Sequence, residues 1–282
     1  MDPIRRFSKP SLRAPVAVMA FEGWNDASEA ASGTVAYLIG QYDAEPFAIV
    51  DPETFINFEE TRPTIVVEDG QAREVSWPAT RLYAAEMGDR DHDLVVVVGS
   101  EPQLRWQGFA QVITDLLRDL GVKQVVLLGA FLAQTPHTSP VPVMGTADDP
   151  QVLIELGVRG ANYEGPTGIV GVLGPILREE GFDVMSFWAA TPHYLGTNAN
   201  PKAMLALLEK TAKVLDLSVD ASELATVSGD FESRVNAAMS VSTEFTSYVT
   251  RLEEAAEEPT TQFSPSDAAE LISEVEDFLK EI

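Results

Sequence analysis

Apolar residues in this chain fall into short runs of four to seven, closed by glycine, proline or acidic residues and alternating with longer stretches of helical periodicity. Pro15 to Phe21 is the first run, short and β-prone as a strand buried on both faces should be. After Glu22-Gly23-Trp24-Asn25-Asp26, the Asp26/Glu29 spacing predicts a capping box, opening a small-residue helix over Ala27 to Ile39 that stops at Gly40. Phe47 to Val50 predicts a second strand. Val-rich stretches on either side of Glu68-Asp69-Gly70 predict a hairpin over Thr64 to Trp77. Leu94 to Val98, closed by Gly99, leads to a helix over Trp106 to Leu120 with Gly121 as its stop, and Val125 to Leu128 repeats the strand signal at once.

Gln134 to Pro150 reads as a long proline-rich loop, and Asp149-Pro150 as a cap and first helical residue leading a short helix to Leu156. Ile169 to Glu180 predicts a helix ending at Gly181, Asp183 to Ala189 a strand, and Pro201 the start of a helix to about Leu217. Strands joined through helix-containing crossovers specify an α/β fold: a mostly parallel sheet between two layers of helices.

Beyond that point the composition shifts. From Asp216 to the end, sixteen acidic and three basic residues accompany long polar helical stretches, broken at Glu257-Glu258-Pro259-Thr260-Thr261. We therefore divide the chain into an α/β domain over 1–217 and an acidic helical extension over 218–282. Leu271, Ile272, Val275, Phe278 and Leu279 share one face of the last predicted helix, an arrangement that calls for docking on the same subunit or on a partner.

Charge narrows the choice of partner. With 44 acidic against 19 basic side chains, the net charge of −25 repels a phosphate backbone, and nucleic acid is not expected. The absence of cysteine removes thiolate nucleophiles, disulfides and cysteine metal sites. Met1-Asp2-Pro3-Ile4-Arg5-Arg6 lacks the apolar run of a signal peptide, and no stretch approaches the roughly 20 apolar residues of a membrane span. A cytoplasmic protein is expected.

In open α/β sheets ligands collect beyond the carboxyl ends of parallel strands, so the polar residues following each strand are the candidates. Glu22, Asn25 and Asp26 follow the first strand, Ser100 and Glu101 the Val95–Val98 run, and Thr135 with His137 the next; Thr191 and His193 follow the last. Glu164 lies in Asn162-Tyr163-Glu164-Gly165-Pro166-Thr167-Gly168, ahead of a helix. The tripeptide Thr-Pro-His occurs twice, at 135–137 and 191–193, which sets two histidines at one rim. Imidazoles beside carboxylates do acid–base work near neutral pH, or hold a divalent metal together with Glu22 or Asp26. The plainer alternative is that proline shapes each loop while the histidine bonds a nearby backbone carbonyl. Trp24 and Trp106 read as core or interface packing before ligand stacking.

Nucleophile signatures are missing: there is no Gly-x-Ser-x-Gly elbow and no serine placed beside a base. Gly165 to Gly171 is glycine-rich but lacks the spacing and lysine of a phosphate-binding loop. No catalytic residue is assigned, and neither metal nor cofactor is expected.

As an ordered set, Gly23-Trp24-Asn25-Asp26-Ala27, Thr135-Pro136-His137 with Pro140-Val141-Pro142-Val143, Tyr163-Glu164-Gly165-Pro166-Thr167-Gly168, and Thr191-Pro192-His193-Tyr194 with Asn200-Pro201 resemble the proteasome assembly chaperone 2 family in its prokaryotic form. The resemblance spans about residues 15 to 217. It implies a three-layer α/β/α fold similar to nucleoside phosphorylases and peptidyl hydrolases, and a homo-oligomer such as a trimer. Eukaryotic members scaffold the assembly of proteasome α-rings. Assembly factors of that kind often dock through a hydrophobic-Tyr-x tail, whereas this sequence closes Phe278-Leu279-Lys280-Glu281-Ile282, so that route is not expected.

Three readings follow: an assembly or interaction protein with a protein partner, a small-ligand binder or phosphorylase/hydrolase-like enzyme using the polar rim, and a symmetric oligomer whose loops form the subunit interface. The first is the one carried forward, with Glu22, Trp24, Asn25, Asp26, Thr135, His137, Glu164, Thr191 and His193 as its ligand-binding or interface residues.

Overall fold

The computed structural model describes residues 3–68, 71–88, 90–196 and 198–257. In chain order its elements are β1 (Ile4–Arg6), β2 (Val16–Glu22), α1 (Ala30–Gln41), β3 (Glu45–Val50), α2 (Pro52–Phe55), β4 (Thr64–Glu68), β5 (Gln71–Ser76), β6 (Thr80–Ala85), β7 (Leu94–Ser100), α3 (Trp106–Leu120), β8 (Gln124–Ala133), β9 (Val143–Thr146), α4 (Pro150–Glu155), β10 (Arg159–Gly160), α5 (Ile169–Glu179), β11 (Asp183–Pro192), α6 (Pro201–Val214), α7 (Ser222–Met239) and α8 (Thr243–Glu257).

The large sheet runs β1-β3-β6-β7-β2-β8-β11-β9-β10. Its centre is parallel: β7 and β8 flank β2, and β11 lies beside β8 along its whole length. Antiparallel strands extend both sides, β6 on β7 and β9 on β11. The central strands are apolar throughout because both of their faces are covered. Alternate residues divide between two cores. Val16, Val18, Ala20, Val126 and Leu128 pack with α1 and α6, while Ala17, Met19, Phe21, Val125 and Leu127 pack with α3 and α5. Helix–sheet–helix layering is thus the direct result of unbroken β-prone runs, each buried large aliphatic contributing about 1.5–3 kcal/mol.

Several expectations shift in detail. The predicted strands all form, the first shifted by one residue and the later ones longer than expected: β11 reaches Pro192, so Thr191 is a strand residue rather than a loop residue. Gly99 does not close β7 but sits within it, at φ +152°, where a Cβ would overlap the Ala79 carbonyl. The capping box does not form. Ser28 and Glu29 both adopt left-handed backbone (φ 55° and 51°), which turns Glu29 away, and Asp26 alone serves α1, its Oδ1 accepting from the amides of Ala31 (2.7 Å) and Ser32 (3.1 Å). The 134–150 segment carries a strand, β9, and β1, β6 and β10 had no counterpart in the sequence reading. The hairpin forms as β4 and β5, which among the described residues pair only with each other; its Asp69-Gly70 turn lies outside them.

The start of the acidic extension is helical, as α7 and α8. Both pack on the main body: Val235, Met239, Val249 and Leu252 share a buried cluster with Tyr194 and Leu195, which follow β11. The apolar face predicted over Leu271 to Leu279 lies outside the described residues. Among the described residues, no helix is long and apolar enough to cross a membrane.

Candidate functional site

Because β7, β2, β8 and β11 run parallel, their carboxyl ends face one side of the molecule and carry Ser100, Glu22, Ala133 and Pro192 in turn. The polar residues after them form a rim with two contrasting halves.

The half beyond β2 and β7 is acidic and held together by the loops themselves. Asn25 is fully buried; its Nδ2 donates to Glu101 Oε1 (2.5 Å), and the same carboxylate oxygen accepts from the Ile169 amide at the start of α5 (2.7 Å). A negative group at that position also complements the positive end of the α5 dipole. Asn25 Oδ1 is buried with no hydrogen-bond partner among the described residues and lies against the Gly168 backbone, so closely that a Cβ there would overlap both it and Glu101 Oε1. Gly168 is therefore required by close approach, which accounts for the glycine before α5 without any phosphate. The Asn25 carbonyl accepts from the Ala130 amide (2.7 Å), tying the loop to β8. Ser100 Oγ donates to Glu22 Oε2 (3.2 Å). Burial, opposed by the bonds from Ser32 and Ala31, raises the pKa of Asp26 above that of an ordinary aspartate. Glu164 is exposed on the loop that leads to Gly168.

The half beyond β8 and β11 holds Thr135, His137, Thr191 and His193, all buried. The His137 amide donates to Tyr194 Oη (2.8 Å), its Nδ1 lies 2.7 Å from the same oxygen, and its Nε2 lies 3.0 Å from Asn236 Oδ1 on α7. An amide oxygen only accepts, so Nε2 carries the proton and the Tyr194 hydroxyl donates to Nδ1. His193 carries a proton on Nδ1, which donates to the Ala133 carbonyl (3.1 Å), and its Nε2 lies 2.8 Å from the Tyr248 hydroxyl of α8. Thr191 Oγ1 donates to the Phe131 carbonyl (3.2 Å). Lys202 bridges the His137 carbonyl (2.6 Å) and the Glu232 carboxylate, and Thr138 donates to Glu253 of α8. Burial lowers the pKa of His137, only partly opposed by the Asn236 bond, and burial raises that of Tyr194.

Both imidazoles are thus bonded at each nitrogen. The space left beside His137, lined by Pro136, Ala190, Asn200, Lys202 and Phe231, is about 10 Å³. That is room for roughly one water molecule, against the ~300–1,000 Å³ of small-molecule sites. Among the described residues, no three His, Asp or Glu side chains gather as metal ligands. Asn236, Tyr248, Lys202, Glu232 and Glu253, which complete this half, carry no sequence motif, and their roles come from helix packing. Trp24 is 61% exposed, so core packing does not describe it; Leu132 (50%) and Tyr163 (69%) are also open to solvent at this end.

With the fold and the rim in view, the comparison with known families is decisive: the PAC2 family model matches residues 20–239. The chain belongs to the PAC2 family. A Mycobacterium tuberculosis proteasome-assembly chaperone homologue is 39% identical, with a TM-score of 0.77, covering 83% of this chain and 99% of its own. A PAC2 family protein of Streptomyces avermitilis is 41% identical, with a TM-score of 0.75 and the same coverage. An archaeal proteasome activator of Pyrococcus furiosus shares the fold at 17% identity, with a TM-score of 0.66, 84% of this chain and 98% of its own being covered. No curated protein matches this sequence. The PAC2 match runs past residue 217 and takes in α7, so the helix that bonds His137 falls within the family region.

Proposed function

We propose that this PAC2 protein is a non-enzymatic assembly or interaction protein of the cytoplasm, which self-associates and binds another protein without a cofactor. The observation that carries this reading is the closure of the histidine half of the rim: α7 and α8 take both imidazoles and leave a void of about 10 Å³, while Trp24, Leu132 and Tyr163 face outward. A surface that is full inside and apolar outside suits docking better than turnover. The proteasome-assembly chaperone homologue at 39% identity is in keeping with it. Capture by the tagged chain from a native lysate of its source, at low and moderate salt, should return a second protein in fixed proportion to the bait. Recovery of the bait alone at every salt concentration would end the proposal. Thermal shift against a metabolite panel examines the competing small-ligand reading: a shift lost in His193→Ala would favour an enzyme or ligand binder instead.

A further inference from the structure

The β4–β5 hairpin is amphipathic, and its apolar side is bare. Ile65 lies opposite Val75 across the ladder, and Val67 is two residues on, so the three fall on one side of the ribbon. Thr64 with Ser76 and Val66 with Glu74 fall on the other, together with Glu68. Ile65 (57%), Val67 (58%) and Val75 (44%) are open to solvent and join none of the apolar clusters of the body. A two-stranded hairpin is marginal by itself in water and needs a third strand or a packed face. Other exposed apolar side chains, such as Phe7, Ile154, Val227 and Val241, lie singly on separate segments, whereas here the ladder itself sets three side by side.

The chain holds a surface that matches. Leu271, Ile272, Val275, Phe278 and Leu279 recur at the spacing of one helix face, within residues 258–282, which follow α8. Nine helical residues are about 14 Å long, at ~1.5 Å each. The five residues of β4 extend about 17 Å, at ~3.3 Å each, so one face covers the other.

The end of α8 brings that segment within reach. Glu253, one turn before the last residue Glu257, accepts from Thr138 Oγ1, so α8 stops beside the loop that follows β8. The hairpin springs from the same end of the sheet. Just ahead of it, the Phe55 carbonyl accepts from the amides of Gln103 and Leu104 (3.0 Å each), and Gln103, three residues past β7, donates from Nε2 to Thr61 Oγ1 (3.1 Å). Only β2 separates β7 from β8, about 10 Å of sheet at ~4.8 Å per strand. Residues 258–270 span up to about 43 Å when extended.

We infer that the helix over Leu271 to Leu279 lays its apolar face on the Ile65–Val67–Val75 side of the hairpin in the same chain. Attachment decides between this occupant and the same helix of another copy. A tethered segment meets its site at an effective concentration in the millimolar range, whereas separate chains of charge −25 repel one another. Covering the hairpin also removes an apolar patch that invites association through a strand edge. The inference goes beyond the protein-partner reading above and does not depend on it.

The full chain has no cysteine, so Val67→Cys with Val275→Cys creates a single possible pair. Mild oxidation should join them within one chain of 30.6 kDa, with the two peptides linked after digestion. The reference pair, Ile154→Cys with Val275→Cys, should close roughly tenfold more slowly, since nothing holds its ends together. Equal rates for the two pairs overturn the inference. A disulfide that joins two chains assigns the hairpin to a second copy and overturns it as well. Hydrogen exchange provides a readout without new cysteines: Val275→Asp with Phe278→Asp should speed up the amides of β4 and β5 roughly tenfold and leave β2 and β8 as they were. Hairpin exchange identical in this variant and the wild type also overturns the inference.

Discussion

The acidic and histidine halves of the rim are built on opposite plans. Around Glu22, Asn25 and Glu101, the loops that follow the strands hold one another, and a single glycine, Gly168, allows the approach. Around His137 and His193, the loops are completed from outside by Asn236, Tyr248 and Glu253, supplied by helices late in the chain. The first half therefore forms with the sheet. The second forms only when α7 and α8 dock, so disturbances there should uncouple the helices while leaving the sheet intact.

Three changes put that contrast to the test. The largest effect belongs to Tyr194→Ala, because this fully buried ring donates to His137 and anchors the α7–α8 cluster. A loss of roughly 3–5 kcal/mol in urea unfolding is expected. Amide exchange should speed up in α7 and α8 well before α1; equal acceleration throughout would contradict the two-plan picture.

Gly168→Ala is expected to cost about 1–3 kcal/mol, since the added methyl overlaps Asn25 and Glu101. Its effect should be confined to the Ile169 amide and the 23–26 loop, with α7 and α8 unchanged. Protection lost at Tyr248 instead would show the halves to be one unit.

The smallest effect is a slope. Burial holds the His137 pKa below its ordinary value of 6.5, so the unfolded chain takes up a proton first as pH falls. Its contribution to stability is complete above about pH 6.5 and drains away below it. The groups that face it are Tyr194, Lys202 on α6, Glu232 and Asn236 on α7, and Glu253 on α8. His137→Gln should flatten the fall in unfolding free energy between pH 6.5 and 5; an unchanged slope would assign the acid sensitivity to other groups.

Most of the sheet is legible in the primary structure. Val16–Glu22, Leu94–Ser100, Gln124–Ala133 and Asp183–Pro192 are β-prone runs buried on both faces, and such runs fit few other environments. The helix over Trp106–Leu120 agrees with its expected bounds because its amphipathic pattern and Gly121 stop are local signals. The strands that went unread are short or mixed. β1 and β10 have three and two residues, β9 lies in a proline-rich stretch, and β6 interleaves Arg81 and Tyr83 with its buried positions. Each is a strand because a neighbour offers hydrogen bonds, not because of its own propensity.

Apolar runs and loop punctuation act over a few residues, and they were enough to dictate the layered α/β core and to put Asn25, His137 and His193 after parallel strands. What those side chains do depends on contacts between distant elements. Asn25 is bound to Glu101, His137 to Tyr194 and Asn236, and His193 to Ala133 and Tyr248, with partners up to 99 positions away. No local pattern encodes such pairings, because they arise when separate elements are buried against each other and every polar atom caught between them must find a partner.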